Sequence, residues 1–266
     1  RQSISTLYGH IGDYFQHKGG KLPYRLMYPK NYDPKKQYPL VISVAGSGSV
    51  GTDNRKNMEM ITLARYLFTR YYHDKQFECF SLVPQIPPKS VIPAPFWPNG
   101  RKGGPSIYHP DWPAVNAEGW FAQASLKLTK QLAADSSLNI DINRIYMTGY
   151  SYGGKACWEF LKAEPNLFAA AAAGGGWPIG RCYSDPTGIY QRQLKLEVSR
   201  YKDVPVLIFA GENDKMKLGS AAVNEEILEQ GGNTRFKIYE NAGHIPAASK
   251  GWTDKENIEW LFSQKR

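Results

Sequence analysis

Residues 144–154 read RIYMTGYSYGG and place a Gly-x-Ser-x-Gly pattern, Gly149 to Gly153, between two different structural signals. The preceding IYMT is typical of a buried β-strand, and the segment after the pattern carries apolar residues at helical spacing. A strand that turns abruptly into a helix predicts a strained, exposed conformation for Ser151, and the flanking glycines avoid collisions in that turn. The start of the helix also offers unpaired N–H groups to negative charge. We therefore expect Ser151 to be a nucleophile.

A serine hydroxyl is a weak nucleophile at neutral pH, so it needs a base to take its proton and a third group to orient that base. Of the five histidines, His244 is the candidate base, because it follows the strand-like residues 236–239 in a loop that contains glycine. The remaining histidines lack this setting: His10, His17, His73 and, in a proline-rich segment where it could contact a substrate, His109.

The orienting carboxylate is predicted at the end of another apolar run. Asp214 stands just past residues 206–210, and the turn after that run opens with Gly211. Serine, acid and histidine then follow one another in the chain order typical of one class of Ser-His-Asp enzymes. Glu212 is the nearest competitor for the acid, and Asp185 is the next. Each residue alone is a weak signal, since an aspartate after a strand is commonly a turn former or a helix cap.

A tetrahedral intermediate would also need hydrogen-bond donors. The backbone N–H of Tyr152 is one candidate, and Ser47, in the loop GSGSVG after the first parallel strand, is the other. The alternative interpretation of that loop as a phosphate cradle is weak, because the loop lacks the following Gly-Lys-Ser/Thr of a P-loop and a downstream carboxylate for a ribose. We expect no nucleotide cofactor and no metal.

Strand-like and helix-like patterns alternate from residue 38 onward, which predicts an α/β fold with a mostly parallel central sheet and helices on both faces. An antiparallel hairpin, residues 8–16 and 21–28, precedes it. We expect residues 1–266 to form a single domain. The predicted strands are 39–45, 77–83, 144–148, 204–210 and 236–239. The predicted helices are 58–72, 114–134, 152–163, 220–230 and 255–264.

Residues 84–113 break this rhythm, because they hold nine of the eighteen prolines. Proline excludes helix interiors and central strands, so we expect a long ordered loop at the carboxyl end of a strand, where α/β folds build sites. Aromatic residues that could wall a substrate pocket there or after residue 175 are Phe96, Trp97, Trp112 and Trp177. The alternative role for these side chains is core packing or a plug over the core.

Composition excludes several classes of protein. Apolar residues make up 42% of the chain and charged residues 21%, as in a folded globular protein. The net charge of +9 is scattered without a basic run, which argues against a nucleic-acid partner. The small, apolar stretch 167–176 is about half the length of a membrane-spanning helix. Three cysteines fit no zinc or redox motif and predict buried thiols, with any pairing left open: Cys79, Cys157 and Cys182. The chain starts at Arg1 without an apolar leader, and we expect a secreted or periplasmic protein whose signal was removed.

The chain resembles the α/β-hydrolase superfamily, and within it the group of feruloyl esterases, polyhydroxybutyrate depolymerases and predicted peptidases. Four segments carry the resemblance: residues 24–54, 144–154, 204–214 and 239–244. It implies an α/β-hydrolase fold with Ser151 as nucleophile, Asp214 as acid and His244 as base. One departure stands out, because relatives usually have His-Gly where this chain has Ala45 and Gly46. The hydrogen bonds by which that histidine holds the oxyanion loop are therefore absent.

The resemblance implies a serine esterase, acting on feruloyl or acetyl esters of plant polysaccharide or on other small esters. Two alternatives stay open from the sequence. A serine peptidase uses the same three residues but must protonate a poorer leaving group. A hydrolase fold without activity, used for binding, is compatible with the loss of the usual histidine at Ala45.

Overall fold

The structure is a computed structural model that describes residues 6–88, 90, 105, 106, 109–113, 117–178 and 189–266, and of 105, 106, 109–113 and 189 only the backbone. Its main sheet consists of β1 (Thr6–Leu7), β2 (His10–His17), β3 (Gly20–Met27), β4 (Tyr38–Val44), β5 (Phe80–Pro84), β8 (Ile140–Tyr150), β9 (Ala170–Gly174), β10 (Val206–Gly211) and β11 (Thr234–Tyr239). The remaining two strands, β6 (Pro105–Ser106) and β7 (His109–Pro113), pair only with each other.

The strands of the main sheet lie in the order β1-β2-β3-β5-β4-β8-β9-β10-β11. All pairs from β5 to β11 are parallel, whereas β1, β2, β3 and β5 pair antiparallel. The predicted mostly parallel sheet and the predicted N-terminal hairpin are both confirmed. Because parallel strands share one direction, their carboxyl ends and the loops that follow them meet at one edge of the sheet.

Eight helices surround the sheet in the described part of the chain: α1 (Lys56–Glu59), α2 (Leu63–Thr69), α3 (Trp120–Ala134), α4 (Tyr152–Ala163), α5 (Ile189–Val198), α6 (Lys217–Glu229), α7 (His244–Thr253) and α8 (Lys255–Ser263). Successive side chains of a strand point to opposite faces. In β4, Leu40 and Ile42 pack in one hydrophobic cluster with α3 to α6, and Val41 packs in a second cluster with α2, α7 and α8. Helices therefore cover both faces, as predicted.

Several elements differ from the sequence-based expectation. The helix predicted over 58–72 is two helices, because Met60 is extended and Thr62 caps α2 by accepting the N–H of Arg65. The stretch 167–176 contains β9, a central strand that the alanine-rich sequence did not indicate. Helices α5 and α7 were not predicted either.

Two further sequence-based predictions concern a membrane-spanning segment and the cysteine thiols. Among the described residues, no helix has both the length and the apolar character that crossing a bilayer requires. Cys79 and Cys157 are buried free thiols, as predicted, and Cys182 lies outside the described residues.

Candidate active site

Ser151 occupies the sharp turn between β8 and α4. Its backbone has φ 59° and ψ −120°, a strained combination for a residue with a side chain. Two hydrogen bonds hold it there: its N–H donates to the carbonyl oxygen of Gly174 at 2.8 Å, and its own carbonyl accepts the N–H of Lys155 at 3.0 Å. The predicted strand-to-helix turn with a strained serine is therefore present, and Ser151 is partly exposed.

The two glycines of the Gly-x-Ser-x-Gly pattern are required by close backbone approaches. A Cβ on Gly149 would lie 2.2 Å from the carbonyl oxygen of Gly153, and one on Gly153 would lie 2.0 Å from that of Val44. Both distances are far below van der Waals contact. The pattern thus fixes how closely α4 packs on β8 and β4.

Asp214 and His244 are in direct contact. Asp214 lies in the turn after β10, and His244 begins α7 just after β11. The imidazole Nδ1 is 2.6 Å from the Oδ2 of Asp214. The carboxylate is almost fully buried, with 4% of its side chain exposed, whereas 30% of the His244 side chain is exposed. This arrangement fixes Nδ1 toward the acid and leaves Nε2 for chemistry.

Several groups keep Asp214 ionised. Burial by itself raises the pKa of this carboxyl. The hydrogen bond from His244, the N–H of Met216 at 2.9 Å and the nearby imidazole outweigh burial and lower the pKa below its usual value. A carboxylate that stays charged in a buried position can stabilise a protonated imidazole.

Tyr150, the residue before Ser151, joins the pair to the strained turn. Its hydroxyl donates to the His244 carbonyl at 2.7 Å and lies 3.4 Å from Oδ2 of Asp214. Its ring packs against the imidazole, with 4.9 Å between ring centroids. Sequence analysis missed this role, since the second position of the pattern carries no signal for it. Tyr150 therefore places His244 beside the turn that bears Ser151.

A cavity of about 210 Å³ opens at Ser151. The two residues predicted as oxyanion donors, Ser47 and Tyr152, both line it, and so do Trp177 and Met216. Tyr152 is the first residue of α4, so its backbone N–H lies at the positive end of that helix. Small residues complete the wall: Gly175 and Gly176. The cavity is therefore polar near Ser151 and apolar at Trp177.

Lys155 also lines the cavity, and its charge is balanced. The ammonium donates to the carbonyl of Pro178 at 3.0 Å and to Glu159 at 3.2 Å. Glu159 is buried and also pairs with Lys162 at 2.8 Å. Burial would raise the pKa of Glu159, but the two lysines lower it. Lys155 thus anchors the chain just after Trp177 and supports that wall of the cavity.

The other predicted wall residues are only partly described. Trp177 is buried, 3% exposed, and Gly219 of α6 packs closely against its ring. Phe96 and Trp97 lie outside the described residues. Trp112 is in β7, where only the backbone is described. The proline-rich segment does begin at the carboxyl end of a strand, β5, as expected.

The competing candidates occupy other positions. Glu212 accepts the N–H of Asn241 at 2.9 Å, so it braces the turn before His244 rather than the imidazole. His10 is buried and bonded to the Ser81 hydroxyl at 2.9 Å. His17 packs on Phe15 and Trp120, and His73 contacts Lys30. The side chains of Asp185 and His109 lie outside the described residues.

No group of three or more histidine, cysteine or acidic side chains in the described residues is arranged to hold a metal ion. The chemistry that the described groups support is proton transfer by an imidazole that a carboxylate orients, close to a strained serine.

Comparison with known proteins gives a family and a set of structural neighbours. A family model described as the dienelactone hydrolase family matches residues 117–257, a segment that contains Ser151, Asp214 and His244. No curated protein sequence matches the chain. The segment matched covers more than half of the chain.

Solved structures similar to the chain include a thermostable esterase, with a TM-score of 0.72 and 30% identity over 97% of this chain. A feruloyl esterase module from Clostridium thermocellum, complexed with sinapinate, gives 0.64 and 12% identity over 97% of this chain and 90% of that one. Dipeptidyl peptidase 4 of Porphyromonas gingivalis gives 0.61 and 16% identity over 96% of this chain. The chain spans 64% of the esterase and 35% of the peptidase. The α/β-hydrolase fold expected from the sequence is confirmed.

Proposed function

The chain belongs to the dienelactone hydrolase family, and from that premise we propose that it is a serine hydrolase of carboxylic esters that works through an acyl-enzyme. The observation that carries the proposal is the 2.6 Å contact between His244 Nδ1 and the buried Asp214 beside the strained turn of Ser151. A base held by a buried carboxylate close to a partly exposed serine is the arrangement that nucleophilic catalysis by serine needs.

In the first half of the proposed reaction, the Oγ of Ser151 attacks the ester carbonyl while Nε2 of His244 takes its proton. Asp214 holds Nδ1–H and stabilises the imidazolium without taking the proton itself. The negative charge that develops on the substrate oxygen is stabilised by the N–H groups of Ser47 and Tyr152. Both residues line the cavity at Ser151.

In the second half, His244 gives the proton to the leaving alcohol, and the Ser151 ester remains. A water molecule then transfers a proton to Nε2 and attacks the acyl carbonyl. Collapse of this second tetrahedral intermediate releases the carboxylic acid and restores the Ser151 hydroxyl. The low pKa of Asp214 keeps the carboxylate charged through both halves at neutral pH.

The cavity supports a small acyl group of the size of a single ring. Its volume of about 210 Å³ compares with roughly 150 Å³ for a protein cavity that binds benzene. Trp177 and Met216 supply apolar walls, which suit an aryl or short aliphatic acyl chain. We propose feruloyl or acetyl esters, linked to plant polysaccharide, as the natural class of substrate. We propose that Phe96, Trp97 and Trp112 contact the part of the substrate outside this cavity. A secreted or periplasmic location would give the protein access to such a polymer.

The experiment compares the wild-type protein with Ser151→Ala on p-nitrophenyl acetate, a feruloyl ester and a peptide p-nitroanilide. Ser199→Ala is the matched control, because Ser199 is exposed just after α5 and, among the described residues, hydrogen-bonds only to Leu196 and Lys195. We expect Ser151→Ala to lower kcat on esters by about 10⁵-fold and Ser199→Ala to leave it unchanged. A fluorophosphonate should label Ser151 alone, as read by mass spectrometry.

Three results would contradict the proposal in different ways. Faster turnover of the peptide anilide than of the esters indicates a peptidase. Equal ester turnover by wild type and Ser151→Ala would show that Ser151 is not the nucleophile. An unlabelled wild type without turnover on any of the three substrates indicates a binding protein with a hydrolase fold.

A further inference from the structure

The loop that carries Ser47 has to be held by groups other than the residue at position 45, because Ala45 has no polar side chain. The loop leaves β4 and forms a short 3₁₀ turn over Ser47–Ser49. Gly46 approaches the strained turn, since a Cβ on it would lie 3.8 Å from the Cβ of Ser151. The direction in which the Ser47 N–H points is therefore set within this loop.

Ser49 fixes the orientation of the Ser47 N–H by binding the Gly46 carbonyl, which belongs to the same peptide group. The Gly46 carbonyl accepts both the N–H of Ser49 at 3.0 Å and its hydroxyl at 2.7 Å. In a trans peptide the carbonyl of Gly46 and the N–H of Ser47 point in opposite directions. Among the described residues the Ser47 N–H has no acceptor, so it is available to a ligand in the cavity.

Ser49 is held in turn by Gln85, the first residue after β5. The Gln85 side-chain amide is fully buried and donates to the carbonyl of Ser49 at 3.0 Å and to Oδ1 of Asp53 at 2.8 Å. Its Oε1 accepts the N–H of Asn54 at 2.6 Å. Both of its N–H groups and its oxygen are thus engaged with the segment that follows Ser47.

Gln85 is itself anchored to the sheet. Its backbone N–H donates to the carbonyl of Pro23 in β3 at 2.8 Å, and Ile86 accepts the N–H of Gly51 at 3.0 Å. Burial would raise the pKa of Asp53, but the N–H groups of Arg55, Gln85 and Lys56 lower it. The contact with Asp53 is therefore a charge-assisted hydrogen bond at neutral pH. Gln85 therefore links the loop after Ser47 to β3 by an unbroken series of hydrogen bonds.

We propose that Gln85 is a positioning residue for the oxyanion site, which holds the Ser47 N–H in place through Ser49. This inference rests on the proposed function, since it assigns the Ser47 N–H to the oxyanion. A loop released from Gln85 loses the fixed direction of this donor. The loss falls on the transition state, where the negative charge develops, more than on the bound ester.

The test compares Gln85→Met with the matched control Asn57→Leu. Both variants replace a fully buried amide, and the Asn57 side chain of α1 donates to the carbonyl of Val83 in β5 and makes no hydrogen bond to Ser49. For Gln85→Met we expect kcat on p-nitrophenyl acetate to fall about 10- to 100-fold, with KM within about threefold. For Asn57→Leu we expect a lower Tm and unchanged kcat per titrated active site.

Inhibitor binding separates positioning from a merely structural role. A trifluoromethyl ketone forms a tetrahedral adduct that needs the oxyanion donors, whereas acetate, the product, does not. We expect the inhibition constant of the ketone in Gln85→Met to rise in proportion to the loss of kcat/KM, and that of acetate to stay unchanged. Equal losses of kcat in Gln85→Met and Asn57→Leu would overturn the inference, as would an unchanged kcat in Gln85→Met.

A second variant decides the question if Gln85→Met does not fold. Ser49→Ala removes only the hydroxyl bond to Gly46, and we expect about a tenfold loss of kcat with a Tm lowered by only about 2 to 4 °C. Unchanged kcat in this variant would then overturn the inference. A wild-type protein that neither hydrolyses the ester nor reacts with the fluorophosphonate contradicts the proposed function instead, whatever the variants do.

Discussion

Gly153→Ala tests whether the close packing of α4 on β4 is what the serine turn depends on. The added Cβ would lie 2.0 Å from the carbonyl oxygen of Val44, 2.8 Å from its carbonyl carbon and 3.0 Å from the oxygen of Ala45. All three atoms are backbone, so no side chain can rotate away. Helix α4 must retreat by about 1 Å to restore a tolerable contact.

The displacement of α4 is expected to lower both Tm and kcat. An extra methyl group in a packed interior destabilises by about 1 to 3 kcal/mol, and a backbone clash belongs at or above the upper end. For a chain of this length, about 3 kcal/mol lowers Tm by roughly 6 to 12 °C. If Ser151 is the nucleophile as proposed, a displacement of about 1 Å there lowers kcat by about 100-fold.

Gly46→Ala is the matched control for stability, because its Cβ would meet its nearest neighbours at 3.8 Å, an ordinary contact. Thermal unfolding followed by circular dichroism gives Tm, and turnover per fluorophosphonate-titrated site gives kcat in the folded fraction. We expect a large drop in Tm for Gly153→Ala and a change of less than about 2 °C for Gly46→Ala. A Gly153→Ala protein with wild-type Tm and kcat would refute the packing argument.

Two further predictions concern the acid and its neighbour. Tyr150→Phe removes the hydroxyl bonds to His244 and Asp214. We expect kcat, measured by ester turnover, to fall about tenfold, and the free energy of unfolding, measured in urea, to fall by about 1 kcal/mol. An unchanged kcat would contradict the positioning of His244 by Tyr150. The folded pKa of Asp214 is lowered, so its stabilising effect is complete above the usual aspartate pKa and is lost as the pH falls through the folded value. Asp214→Asn should therefore lose less unfolding free energy than wild type between about pH 5 and pH 3, and equal losses would show that Asp214 does not titrate as described.

The sequence was most informative where function demands a local geometry. The pattern around Ser151 combines a strand, two glycines and a helix within eleven residues, and α4 has the predicted bounds of 152–163. The proximity of Asp214 and His244 could be predicted because each follows a strand, and the parallel sheet brings the loops after its strands to the same edge. Local signals of this kind do not depend on distant contacts.

The elements that the sequence did not reveal depend on tertiary context. Strand β9 reads AAAAG, and alanine favours helices over strands, yet every residue of β9 is buried between β8 and β10. Small side chains are what allow Gly154 of α4 to approach Gly174 closely, since a Cβ there would lie 2.5 Å from the Gly174 carbonyl. The intrinsic propensity is overridden by the need for thin packing at the centre of the sheet.

The roles of Tyr150 and Gln85 were out of reach for a related reason. Tyr150 contacts residues 64 and 94 positions away, and Gln85 contacts a loop 36 positions earlier. Neither residue has a spacing or composition that marks such a contact. A partner that only the folded chain brings near can be inferred from the structure but not from the residues around it.

The cost of burying Asp214 argues for chemistry rather than for binding alone. An ionised carboxylate removed from water loses several kcal/mol of hydration, which only hydrogen bonds and charges placed around it can restore. Here the chain surrounds the carboxylate with His244, the N–H of Met216 and the hydroxyl of Tyr150, while 30% of the His244 side chain stays exposed. A pocket that only binds a ligand does not need a buried carboxylate at this position. An apolar side chain would fill the same space with a smaller cost in folding free energy. A buried anion that faces an accessible base is useful when that base must become a cation for part of each turnover.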